Sequence, residues 1–200
     1  DPLPHQLSAV YDHLLKLARV RFLLADDAGA GKTIMAGLLI RELKLRGLAE
    51  RILIVGPANL AFQWQRELKE KFDEEFLVLK GNDIRDQFGV NQWIKQKQVI
   101  ASLDLAKREE ILPGLRQVHW DLVIVDEVHH ATRDSLYVKV IEAIRAMNPD
   151  CLLLGVTATP YRADKQGLGH LFEAACFSRN IKWMCEHGFL APPFGQRIEL

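Results

Sequence analysis

Leu24-Ala25-Asp26-Asp27-Ala28-Gly29-Ala30-Gly31-Lys32-Thr33 is the stretch on which the fold turns. Set against G-x-x-x-x-G-K-[ST], the pattern of a phosphate-binding loop, it agrees at Gly31, Lys32 and Thr33 and departs at Asp26, where the pattern has glycine. An apolar run precedes it at Arg21–Ala25 and a helical pattern follows over Lys32–Leu45, the strand–loop–helix setting such a loop needs. Gly29 and Gly31 allow backbone N–H groups to turn onto phosphate oxygens with no Cβ in the way, and the helix N-terminus adds its positive dipole end. In that setting Asp27, Ala28, Gly29, Ala30 and Gly31 form the cradle. Lys32 then reaches the β- and γ-phosphates, and Thr33 offers its hydroxyl to Mg²⁺. By itself the loop leaves a plainer reading open, a glycine-containing strand–helix turn with an exposed lysine.

Outward from the loop, apolar runs alternate with helical patterns, as in a parallel sheet covered by helices on both faces. A first helix is expected over about Pro4–Arg19, with Leu7, Val10, Leu14, Leu15 and Leu17 near one stripe. The helix after the loop carries Ile34, Leu38 and Leu45 on one side and ends at Gly47. Further strands are expected at Arg51–Val55, Glu75–Leu79, Gln98–Ala101, Asp121–Val125 and Cys151–Val156. Helices are expected at about Ala58–Lys71, at Leu103–Leu112 with a stop at Pro113-Gly114, and at about Ser135–Met147. The segment after Pro160 looks glycine-containing and then helical, and Pro192-Pro193 looks like a domain exit. The fold class is α/β, three layers around a central, mainly parallel sheet.

Composition narrows the classes of function. Two hundred residues, 48% hydrophobic and 26% charged, suit one soluble α/β domain. The 26 basic and 26 acidic residues cancel, so any nucleic-acid contact has to come from a local patch or from backbone amides. Lys95/Lys97 and Lys107/Arg108 are the candidate phosphate contacts, each pair equally readable as a solvated face. Cys151, Cys176 and Cys185 form no C-x-x-C pair, which points to free thiols in a reducing, cytoplasmic compartment. Cys185 with His187 offers too few ligands for a metal. No apolar run is long enough to span a membrane, and DPLPHQLSAV lacks a basic-then-apolar leader. The chain opens inside what looks like a helix start, as a piece of a longer protein would.

The second decisive stretch is Val123-Ile124-Val125-Asp126-Glu127-Val128-His129-His130. An apolar strand ending in adjacent carboxylates puts Asp126 at the carboxyl edge of the sheet, where α/β proteins bind ligands. Asp126 is placed to hold Mg²⁺ directly or through water, and Glu127 to orient or deprotonate an attacking water. An isolated pair of this kind is more often two solvated acids; a G-K-T loop upstream changes the balance. His129 and His130 are either a metal pair or, with no third ligand at suitable spacing, a polar relay beside Glu127.

Asp126-Glu127-Val128-His129 has the form D-E-x-H, and with the loop it resembles the first RecA-like motor domain of a superfamily-two helicase or translocase of the DEAD/DEAH type. Leu3-Pro4-His5-Gln6 resembles that superfamily's upstream glutamine motif, which implies that Gln6 recognises the adenine edge. Pro57-Ala58-Asn59-Leu60 with Gln63-Trp64 and Glu67-Leu68 resembles the motif after the second strand. That likeness implies nucleic-acid backbone contacts for Pro57, Ala58 and Asn59, and the position of Ser102-Leu103-Asp104 implies the same for Ser102. Trp64 itself looks more like a packing residue than a base-stacking platform. Thr157-Ala158-Thr159-Pro160 resembles the motif coupling the γ-phosphate site to nucleic acid, implying coupling roles for Thr157, Thr159, Arg162 and His129. Up to about His129 the chain resembles Swi/Snf-type translocases of bacterial defence systems, whose loop has the same acidic form around Asp26. From about Ala131 it resembles the repair helicase XPB and restriction-enzyme motor subunits, as a hybrid or a divergent bridging member would.

The resemblance implies a RecA-like P-loop domain over 1–193, with 194–200 beginning a linker to a second RecA-like domain. It implies ATP and Mg²⁺ as cofactors, Lys32, Asp126 and Glu127 as catalytic residues, and DNA or RNA as partner, with subunits of a defence or restriction complex beside it. No arginine finger is evident, so ATP binding with very slow hydrolysis is expected of residues 1–200 alone. Two alternatives stand: a non-catalytic, nucleotide-gated interaction module, and an engineered hybrid that keeps the motifs in form only.

Overall fold

The structure is a computed structural model, and it describes residues 2–16, 21–25, 31–85, 90–128, 136–158, 168–169 and 171–177. Among these, β1 (Arg21–Ala25), β2 (Ile52–Gly56), β3 (Leu77–Leu79), β4 (Gln98–Ser102), β5 (Leu122–Asp126), β6 (Leu152–Thr157) and β7 (Ala174–Phe177) form one sheet. Its order is β3-β4-β2-β5-β6-β1-β7, and every pairing is parallel. The helices are α1 (Pro4–Ser8), α2 (Lys32–Leu45), α3 (Ala61–Phe72), α4 (Gly81–Arg85), α5 (Gln92–Lys95), α6 (Leu103–Ala106), α7 (Leu112–Arg116) and α8 (Leu136–Met147).

The strands are unbroken apolar runs because helices cover both faces of the sheet. Successive residues alternate between two cores: Leu122 and Ile124 of β5 pack with α2 and α3, and Val123 and Val125 pack with Leu105, Leu115 and Ile141 on the other face. Parallel strands put all their carboxyl ends on one edge, the edge at which α/β proteins bind ligands.

Several expectations shift. Asp126 and Thr157 are the last residues of their strands and not the first beyond them, so the ladder fixes their height: Asp126 lies beside Val156, and Thr157 beside Ala25. The first helix is α-helical only to Ser8, continuing through a π turn (Ala9–His13) and a 3₁₀ turn (Leu14–Lys16). In α2 the buried stripe is Met35, Leu39, Ile40 and Leu43, while Leu45 lies in solvent. That helix is apolar almost all round, so its pattern did not single out a face. α3 starts at Ala61, after a turn closed by Leu60 N–H to the Pro57 carbonyl at 3.1 Å. Pro113 does not stop a helix but opens one: α7 holds it in its first turn, where the missing N–H goes unneeded. β7 forms beside β1 where a helical segment was expected; Ala174-Ala175-Cys176-Phe177 has no alternation to announce a strand, and pairing decides it.

Candidate nucleotide and metal site

The site gathers where β1, β5 and β6 end. Gly31 is the N-cap of α2, with φ +87°, a left-handed conformation that side chains resist. A Cβ there would also collide with the side-chain amide of Gln6, because Gln6 is packed against the loop, 2% exposed, with its Oε1 accepting from Leu3 N–H at 2.8 Å. Gln6 therefore meets the glycine-containing stretch at Gly31. Lys32 and Thr33 follow in the first turn of α2, both half-buried.

Across from them Asp126 is 4% exposed. Its Oδ1 accepts from the Glu127 N–H at 2.9 Å and its Oδ2 from the Trp64 indole N–H at 2.8 Å. Alternation along β5 turns Asp126 to the face of α3, and Gly56 at the end of β2 leaves it room: a Cβ on Gly56 would stand 2.9 Å from that of Asp126. Burial pushes the Asp126 carboxyl up; the Trp64 and Glu127 hydrogen bonds and the Lys32 charge pull against it. Glu127 sits at φ 54°, the left-handed region again, now in a residue with a Cβ.

Gly31, Lys32, Thr33, Gln63, Trp64, Glu67, Asp126 and Glu127 line one cleft of about 330 Å³. It thus joins the predicted loop lysine and threonine with the predicted acid pair. Thr157 ends β6 fully buried, between Ala25 at the head of the loop and the Asp126 strand. Gly56 and Ser102 are ladder partners, so the Pro57-Ala58-Asn59 turn and Ser102 are neighbours on the same edge; Ala58 and Asn59 are exposed. Ser102 Oγ caps α6, accepting from Leu105 N–H at 3.2 Å. Asp27, Ala28, Gly29, Ala30, His129, Thr159 and Arg162 lie outside the described residues, as do Cys185 and His187. Lys95 and Lys97 are not on this edge: they precede β4 at its opposite end, where Lys97 pairs with Glu50.

Two residues were missed as members of the site, and a third, outside the cleft, feels its charge. Trp64, expected to pack more than to stack on bases, does pack and also holds Asp126. Glu67 faces the same cleft; burial pushes its carboxyl up, but hydrogen bonds from Gln63, Lys71 and Thr33 and the Lys71 charge bring it below the usual range. Tyr137 of α8 has its phenol pushed up to about 12 by burial and then by the charges of Asp126, Glu127 and Asp104. The i, i+3 spacing of Trp64 and Glu67 was a usable signal, since it puts both on one helix face. Tyr137 had none.

Comparison with known proteins adds the lineage. Residues 1–162 match the family model described as the type III restriction enzyme, res subunit. The chain belongs to that family. It is the first RecA-like domain of a superfamily-two helicase or translocase. RNA polymerase-associated protein RapA of Yersinia enterocolitica is 38% identical over 171 residues, covering 82% of this chain and 17% of that protein. RapA of Vibrio cholerae is 37% identical with the same coverage, so the res-family domain spans 17% of the length of the curated relatives it matches. Among solved structures, the Sulfolobus solfataricus SWI2/SNF2 ATPase core in complex with dsDNA superposes with TM-score 0.66 at 18% identity, over 80% of this chain and 32% of that one. The UvsW helicase of bacteriophage T4 gives 0.62 at 18% identity, over 88% and 60%. The family match and the RapA alignments both run across His130, so common relatives account for the sequence on either side of it.

Proposed function

We propose that this domain is the nucleotide-binding half of a nucleic-acid-dependent ATPase, a helicase or DNA translocase, completed by a second RecA-like domain. The observation that carries the reading is that Lys32, Thr33, Asp126 and Glu127 line a single cleft at the carboxyl edge of the sheet. The donor set fits Mg²⁺. Among the described residues no cluster of three or more His, Cys, Asp or Glu could hold a metal, but Mg²⁺ bound with nucleotide phosphates needs only one or two protein oxygens. Thr33 and Asp126 would hold the ion, which supplies charge neutralisation on the β- and γ-phosphates when bound.

The chain's own residues then divide the work. The Gly31 region and the start of α2 turn backbone N–H groups and the helix dipole to the phosphates, and Lys32 adds its positive charge. Glu127 takes the proton of the attacking water. Gln6 holds the loop from behind and presents its amide toward the adenine side. Pro57, Ala58, Asn59 and Ser102 form the nucleic-acid edge, with Thr157 between that edge and the loop, and Thr159, His129 and Arg162 completing the coupling. Duplex DNA is the favoured partner, since one structural neighbour is an ATPase core in complex with dsDNA. Association with a larger restriction, defence or transcription assembly is a further part of the reading. Residues 1–200 alone should bind ATP but turn it over very slowly without an arginine finger, whose contribution elsewhere is about 10³–10⁵ in rate.

Titration with a fluorescent ATP analogue tests this. Lys32→Ala should weaken binding by about 100-fold, the loss of a charge-assisted contact of a few kcal/mol. Glu127→Gln should leave binding nearly unchanged, because its part is played in chemistry. Equal affinity in Lys32→Ala and the unsubstituted chain would sink the reading.

A further inference from the structure

Both candidate Mg²⁺ ligands face the same helix across the cleft. On α3, Trp64 donates its indole N–H to Asp126 Oδ2 at 2.8 Å, in a buried contact. Three residues on, Glu67 lines the same cleft as Thr33, the partner from which its carboxylate can accept a hydroxyl proton. Helical spacing puts the two side chains on one face, and that face lines the cleft.

The chemistry of the two contacts is complementary. A threonine hydroxyl has one proton and two lone pairs; with the proton directed to Glu67, its lone pairs turn away from Glu67 and toward the cleft. A carboxylate has four acceptor sites; with one taken by Trp64 and one by the Glu127 amide, Asp126 is fixed in rotation and keeps the others for an ion. Glu67 stays an acceptor at neutral pH, because Gln63 donates to it at 2.9 Å and Lys71 at 3.2 Å. Metal ligands generally depend on such outer partners for their orientation.

We propose that Trp64 and Glu67 are positioning residues that form the outer shell of the Mg²⁺ site, Trp64 aligning Asp126 and Glu67 aligning Thr33. This rests on the nucleotide reading above. α3 begins at Ala61, directly after the Pro57–Leu60 turn, so the helix that aligns the ligands also anchors the candidate nucleic-acid loop.

The test uses the 200-residue chain and a fluorescent ATP analogue, titrated in EDTA and across Mg²⁺ concentrations, with a thermal melt as the folding control. Trp64→Phe should raise the Mg²⁺ concentration for half-maximal binding by about tenfold or more. Glu67→Ala should raise it by a smaller factor, and both should change Mg²⁺-free affinity by less than they change the Mg²⁺ dependence. Should Trp64→Phe fail to fold, Glu67→Ala decides alone. If the unsubstituted chain binds no nucleotide with or without Mg²⁺, the nucleotide reading and this one fall together. If it binds and the variants titrate like it, or lose Mg²⁺-free and Mg²⁺-bound affinity equally, only the role of α3 is overturned.

Discussion

At the amino ends of β2 and β5 the polar side chains close on the chain itself, whereas at the carboxyl ends of the same strands they converge on a cleft. Asp121, just before β5, accepts the backbone N–H groups of Glu50 and Arg51 at 2.8 and 2.7 Å. The Arg51 guanidinium donates to the carbonyls of Trp93, Ile94 and Gln96 at 2.8–2.9 Å and lies over the Trp120 ring at 5.6 Å. Asn148, 1% exposed, donates to the carbonyls of Val118 and Ile144 and accepts from Trp120 N–H. The amino-end cleft beside Asp121 and Cys151 is about 320 Å³, a second amino-end cleft between Glu50, Glu75 and Lys97 is about 730 Å³, and the carboxyl-end cleft is about 330 Å³. Volume therefore does not mark the site. What sets the carboxyl end apart is the grouping: Asp126, raised by burial, and Glu127, held at φ 54°, stand in one cleft with Lys32 and Thr33.

If the amino end is structural, Asn148→Ala should be the most damaging change to stability and have no effect on nucleotide affinity. It would orphan the Trp120 N–H and the Val118 carbonyl, a cost of about 2–4 kcal/mol. Denaturant melts would read the loss, and a parallel change in affinity for an ATP analogue would break the division between the ends. Gly56→Ala probes the carboxyl end by the converse route. The new Cβ crowds Asp126, for about 1–3 kcal/mol of overpacking, and displaces a candidate metal ligand. Mg²⁺-dependent nucleotide binding should weaken while binding in EDTA holds. Unchanged Mg²⁺ dependence would mean that Asp126 needs no such fit.

Much of this was legible in the sequence, for identifiable reasons. The central strands announced themselves because double coverage makes them apolar throughout, and the G-K-T and D-E stretches carry their chemistry in adjacent residues. What stayed hidden depends on residues far apart in the chain meeting in space. The Trp64–Asp126 bond spans 62 positions, and no local pattern in α3 names a carboxylate on β5. Charge alone does not say which edge of a sheet a residue occupies: Lys95 and Lys97 lie at the opposite end from the cleft, and only the direction of β4 settles that.

The smallest expected effect tests whether the amino-end cleft beside Asp121 is closed. Cys151 lines it and is buried, with its Sγ donating to the Leu152 carbonyl at 3.4 Å. Burial, and after it the Asp121 charge, pushes this thiol up to about 12. An acid raised on folding contributes stability that is fully present below its unfolded value, about 8.5 for a thiol, and that is lost as pH climbs toward the folded one. Between pH 8 and 10 the unsubstituted chain should therefore lose stability relative to Cys151→Ala, at a limiting slope of about 1.4 kcal/mol per pH unit. The comparison is of two melting curves against pH, with Cys176 and Cys185 present in both proteins and so cancelling. Parallel curves would mean that the thiol titrates as it does in water. The amino-end cleft would then be open to solvent in the native state, and the contrast between the two ends of the sheet would rest on the carboxyl end alone.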